Sequence, residues 1–105
     1  MRGLRVLLLG RPRLELDGQA LAADLPRKHQ ALVFYLAAVS RPAPRAELAS
    51  LLWEDLDEAA ARGNLRTALM RLRRSLPGVL AVDGRQVGFD PLLPLHVDLT
   101  ALADA

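Results

Sequence analysis

Apolar and polar positions divide the chain into short strand-like runs and longer runs of helical period. "LRVLLLG", from Leu4 to Gly10, is a brief apolar run that reads as a buried strand. "RLELDGQAL" sets Leu14 and Leu16 before Asp17-Gly18, a strong hairpin-turn pair, so the amino-terminal region is expected to be a small antiparallel sheet. "LPRKHQALVFYLAAVSRPAP" reads as a helix. Pro26 falls in its first turn, where the missing N–H is not needed. Leu32, Leu36 and Val39 share one face, and Pro42 and Pro44 stop the helix. A second helix is expected from about Arg45 to Trp53, with Leu48, Leu51 and Leu52 inward. A third should run from Asp57 to about Leu76, where Pro77-Gly78 ends it. Asp57 can cap this helix, and Glu58 sits at the positive end of its dipole. "VLAVDGRQVGF" gives two short strands around Asp83-Gly84, a second two-residue turn. After Asp90 comes an extended, proline-containing segment and then a helix start at Asp98.

The third helix carries the sharpest pattern. Leu65, Leu69, Leu72 and Leu76 step by four, three and four, the spacing of one buried helical face. On a wheel of 100° per residue, Gly63, Asn64, Thr67, Met70, Arg71 and Arg74 lie opposite, while Arg62, Arg66 and Arg73 flank the boundary. No acid occurs between Arg62 and Arg74, so nothing on the helix is expected to offer these arginines the usual i,i+4 pairing.

At 105 residues the chain suits one domain with one core. It has no cysteine, so disulfides and thiolate metal sites are excluded. The opening apolar run is too short for a secretory signal, and no uncharged run spans a bilayer, so a cytoplasmic protein is expected. Net charge is only +2, but thirteen of the fourteen bases are arginine, which forks onto phosphate or guanine. Its distribution is polarised: residues 1–53 carry +4, 54–61 carry −4, 62–85 carry +5 and 86–105 carry −3. No nucleophile, base or metal constellation is evident, so no catalytic residue, cofactor or enzyme activity is expected.

A helix buried on one side and arginine-rich on the other suits the major groove of duplex DNA. Asn64, Thr67 and Arg71 are the expected base readers. Arg62, Arg66, Arg73 and Arg74, with Arg85 in the hairpin, are the expected phosphate contacts. The competing expectation is a protein-interaction module that applies the same basic face to an acidic partner.

The strings "LELDGQAL", "PRKHQALVFYLA", "RAELASLLW", "RGNLRTALMRLRRSL" and "VDGRQVGFDP", in this order and spacing, resemble the DNA-binding domain of the bacterial transcriptional activators called the SARP family, whose fold is similar to the OmpR/PhoB-type winged helix. The resemblance implies an α+β winged helix-turn-helix: an amino-terminal antiparallel sheet, three helices and a carboxy-terminal β-hairpin wing. It places that domain at residues 1–91. Residues 92–105 become a linker, with "VDLTALADA" resembling the start of a helical activation domain. It also implies monomers in solution that bind direct repeats in tandem, and recruitment of RNA polymerase, for which Glu54 and Asp55 are the expected contact. One departure stands out: the wing carries Arg85 as its single base, which argues against a strong minor-groove grip.

Other conspicuous residues have plainer readings. Trp53 ends an amphipathic helix and is expected to anchor the core. Arg27 and Lys28 are open to a phosphate or to solvent. Glu54, Asp55, Asp57 and Glu58 are better placed to support a helix start than to bind a metal. His29 and His96 stand without nearby ligand patterns and read as incidental.

Overall fold

The computed structural model describes residues 4–7, 13–16, 19–20, 25–93 and 95–97. Strands β1 (Leu4–Leu7), β2 (Arg13–Leu16) and β3 (Gln19–Ala20) come first. Helix α1 (Arg27–Val39), the short strand β4 (Ala43–Pro44), and helices α2 (Arg45–Leu52) and α3 (Glu58–Ser75) follow. Strands β5 (Leu80–Val82), β6 (Gln86–Phe89) and β7 (Leu95–Val97) complete the described chain. None of the described helices is long and apolar enough to cross a membrane.

The strands form two sheets. One has the order β3-β2-β1-β7, and the other the order β4-β6-β5. The first differs from the expected amino-terminal antiparallel sheet. β1 pairs antiparallel with β2, but its other edge is taken by β7 in parallel, with Leu4 opposite Leu95 and Val6 opposite Val97. The segment read as extended and proline-containing therefore supplies a strand. Leu16 pairs with Gln19 across residues 17 and 18, which lie outside the described residues, as does the helix start expected at Asp98.

Helix ends follow local chemistry. Asp57 takes an extended conformation, and its Oδ1 accepts a 2.8 Å hydrogen bond from the Ala60 N–H, as a capping aspartate should. Pro26 and Pro44 begin α1 and α2 without a side-chain cap. Ser40 closes α1 in the left-handed region, its N–H donating to the Leu36 carbonyl at 3.1 Å. Gly78, with φ of 78°, turns the chain out of α3 at the expected Pro77-Gly78 stop.

The core unites Leu4 and Val6 of β1 with Leu32, Val33 and Leu36 of α1, Leu48 of α2, the leucines of α3, and Val79 and Val87 beyond it. Leu65, Leu69, Leu72 and Leu76 are all buried, as their spacing predicts. Trp53 is 8% exposed and is a core residue. Val39 is half-buried. Leu51, expected inward, is 48% exposed. In this eight-residue helix the buried residues are Leu48 and Ala49, and Leu51 lies off the side that they define.

Two side chains tie α1 to α2. The Tyr35 hydroxyl donates to Glu47 Oε2 at 2.8 Å. Lys28, open to phosphate or solvent in sequence terms, donates from Nζ to the Leu52 carbonyl and lies 5.8 Å from the Trp53 ring centroid.

Leu72→Ala should destabilise the fold by about 2–5 kcal/mol, the usual cost of truncating a fully buried leucine. Leu51→Ala should change stability by about 0.5 kcal/mol or less. Urea unfolding of the two variants checks the assignment; a large loss at Leu51 would contradict it.

Candidate nucleic-acid interface

α3 turns one edge to the core and the rest of its circumference to solvent. Ala61, Leu65, Ala68, Leu69 and Leu72 are buried. Arg62, Asn64, Arg66, Thr67, Arg71, Arg73 and Arg74 are all exposed. The expected base-reading and phosphate-contacting side chains of α3 therefore share one solvent-facing surface. Arg73 and Arg74 also sit in the last turn, where cations offset the negative end of the helix dipole.

The arginines are not wholly without acidic partners, as the stretch from Arg62 to Arg74 suggested. Glu58, one turn earlier, meets Arg62 at 3.3 Å, with both side chains well exposed. Such a pair is worth only a few tenths of a kcal/mol. Among the described residues it is the one ion pair on α3, so Arg66, Arg71, Arg73 and Arg74 keep their charge unneutralised by a carboxylate on the helix.

The β5–β6 hairpin is brought beside the first half of α3 by Arg45, at the start of α2. The Arg45 N–H donates to the Arg85 carbonyl at 2.7 Å, and its Nη1 donates to the Asp83 carbonyl at 3.0 Å. The result is a groove of about 550 Å³ that brings together Arg45, Arg62, Arg66 and Arg85, with Glu58 and Gly84 also on its walls. Four guanidinium groups against one carboxylate make this groove strongly cationic. Asn64, Thr67, Arg71, Arg73 and Arg74 do not line it and lie elsewhere on the exposed surface of α3.

Arg45 was not among the expected site residues. Its position directly after Pro44, at a helix start, gives no periodic signal, and the hairpin it holds is 38 residues away. The polarised charge distribution was the only available pointer.

The hairpin turn differs by one residue from the expected Asp83-Gly84. The Asp83 N–H donates to the Gln86 carbonyl at 3.1 Å, so Gly84 and Arg85 are its two central residues. Asp83 occupies the preceding corner, and its Oδ1 accepts from the N–H groups of Gln86 at 2.8 Å and Arg85 at 2.7 Å. These two hydrogen bonds hold its carboxyl below the ordinary carboxylate range, helped by the positive charges of Arg85 and Arg45. Arg85 is thereby placed at the hairpin tip with its guanidinium exposed.

Thr67 is partly occupied internally. Its hydroxyl donates to the Gly63 carbonyl at 3.2 Å, one turn back. Its methyl group and oxygen lone pairs are what remain for a ligand.

His29, read as incidental for want of ligand patterns, lies buried in the first turn of α1. It is 8% exposed, and its Nδ1 has no hydrogen-bond partner among the described residues. Burial pushes its pKa down, and the positive charge of Arg71 pushes it further in the same direction. The first turn of α1 is thus electrostatically coupled to the outer surface of α3. Glu54 and Asp55 lie exposed in the connection between α2 and α3. No group of three or more His, Cys, Asp or Glu side chains among the described residues is placed to hold a metal ion.

The chain matches no protein-family model and no curated protein.

A lowered His29 pKa means that the folded state favours the neutral imidazole. The corresponding stability is fully present above the ordinary histidine value of about 6.5 and is lost as pH falls from there through the lower folded value. Thermal melts of wild type should drop over that window, and His29→Gln should flatten the drop. An equal decline in both proteins would assign it to other groups.

Proposed function

We propose that this chain is a sequence-specific double-stranded DNA-binding domain of a bacterial transcriptional activator, built as a winged helix-turn-helix. In this reading α2 and α3 form the helix-turn-helix and the β5–β6 hairpin is the wing. α3 enters the major groove, where Asn64, Thr67 and Arg71 face base edges. Arg62, Arg66, Arg73, Arg74 and Arg85 grip phosphates and fix the register, and Arg45 joins them in the groove beside the hairpin.

The observation that carries this reading is the outer surface of α3, an exposed cationic face on which, among the described residues, only Arg62 has a carboxylate partner. A polyanion with regularly spaced charges suits it, and counterion release from that polyanion would drive association. The resemblance to the SARP family adds the remaining expectations. Two copies would bind direct repeats side by side, because one short helix reads too few base pairs to compete with bulk DNA. The exposed Glu54 and Asp55 would face RNA polymerase.

Wild type should bind a duplex selected from a random pool with an affinity that falls steeply with salt, at a log–log slope of about −0.9 per phosphate neutralised. Arg71→Ala should cost about 1–3 kcal/mol on the selected duplex and relax preference at one position. Arg66→Ala should weaken selected and random duplexes alike and reduce the salt slope by about 1. Titration by fluorescence anisotropy checks both variants. No salt-dependent duplex binding at moderate ionic strength would leave the protein-interaction module as the better reading.

A further inference from the structure

Two residues on the outer side of α3 are unexplained by the fold. Met70 is 61% exposed near the middle of an 18-residue helix. Gly63 lies within the same helix, yet glycine is the poorest helix former after proline. It does not have positive φ, and a Cβ added there would meet nothing within 4 Å. Among the described residues, neither a turn nor close packing calls for glycine at this position. Departures from local rules that gain nothing inside a fold point to something outside it.

Both residues belong to one line. Gly63, Thr67, Met70 and Arg74 step by four, three and four, the same steps as the buried leucines, set two residues earlier. Two residues correspond to about 200° of helix, so this line runs along the crest opposite the core. The crest is uncharged from Gly63 to Met70 and becomes cationic at Arg74. Arg66 and Arg73 border it on one side and Arg71 on the other. Thr67 has donated its hydroxyl hydrogen to the helix itself, so the middle of the crest offers a thioether and a methyl group but no free strong donor.

Arg66 and Arg73 fit a nucleic-acid backbone and Arg71 a base edge beside the crest, but the centre of the crest does not fit guanine O6 and N7, which need donors. The apolar feature of a major groove is the pyrimidine C5-methyl group. We propose that Met70, with Thr67 beside it, reads C5-methyl groups of pyrimidines, and that Gly63 lets the first half of α3 approach the base edges closely. This inference rests on the DNA-binding reading above and assigns its specificity.

The test uses the full chain and a duplex selected from a random pool. Each thymine is replaced in turn by deoxyuridine, which removes the methyl group and leaves every hydrogen-bonding group in place. At one or two positions wild type should lose about fourfold in affinity, the factor that corresponds to about 0.8 kcal/mol for one buried methyl-sized group. In Met70→Ala this thymine-to-uracil difference should vanish while the melting temperature stays unchanged, and Met70→Leu should retain it. At the same positions 5-methylcytosine should regain about the same factor over cytosine in wild type only, which separates the methyl group from the rest of thymine. Gly63→Ala should raise the melting temperature by a few degrees and weaken binding at the same time.

Thymine-to-uracil ratios that match in wild type and Met70→Ala at every position would overturn the inference and leave DNA reading intact. A selected site without thymine would do the same. Unchanged affinity in Gly63→Ala would remove the close approach. Absence of any salt-dependent duplex binding by wild type would overturn both this inference and the function beneath it.

Discussion

Burying the leucine edge of α3 commits the opposite edge to water. Leu65, Leu69 and Leu72 have nowhere else to go once α2 and α1 pack on them. Each contributes on the order of 1.5–3 kcal/mol by leaving solvent. The rotation of the helix about its own axis is then set, because turning it would expose several leucines together. That rotation decides which side chains face outward, and it does so without any contact from the outward side. The arginines of α3 are thus oriented by the burial of the opposite edge of their own helix.

The second constraint is the attachment of the hairpin. β4 contributes only two residues to its sheet, and Pro42 packs against Gly88 so closely that a Cβ at position 88 would lie 3.2 Å from the proline ring. Arg45 adds two hydrogen bonds to the turn. These contacts hold the exposed Arg85 near Arg62 and Arg66, and like charges at such range repel. The groove therefore stores an electrostatic imbalance held by short-range bonds. Solvent and salt reduce its cost, and an incoming anion would remove it.

How much of this was legible in the sequence depends on the range of each interaction. The stripe of α3, its Asp57 cap and its Pro77-Gly78 end are written within a few residues of where they act, and they could be read directly. Trp53 as a core residue followed from the helix it terminates. β7 could not be read, because Pro91 and Pro94 stand in the few residues before a three-residue strand whose partner lies near the other end of the chain. The Glu58–Arg62 pair falls outside the acid-free stretch from Arg62 to Arg74, because its carboxylate stands one turn before that stretch begins. The turn was misplaced by one residue because Asp-Gly suggests two central positions, whereas here the aspartate carboxylate bonds forward from the corner. His29 gave no sequence signal, since its burial depends on how α1 packs. Arg45 stayed hidden for a related reason: its partners are in the hairpin, remote along the chain.

The pairing of β1 with β7 also bears on how the chain reaches this structure. Leu4 and Leu95 are separated by almost the whole described sequence, and closing a loop of that length carries an entropic cost of about 4 kcal/mol from the logarithmic term alone. Closing the β5–β6 hairpin, a loop of a few residues, costs less than half as much. Three backbone pairings cannot offset the larger cost until the helices have brought the two ends together. Helix docking is therefore expected to precede this strand pairing, which makes β1–β7 a late event in folding. A strand added late and held by few bonds is also the natural place for the native state to open first. The beginning and end of the described chain then share one fate: when β7 detaches, β1 becomes an edge with unpaired backbone groups.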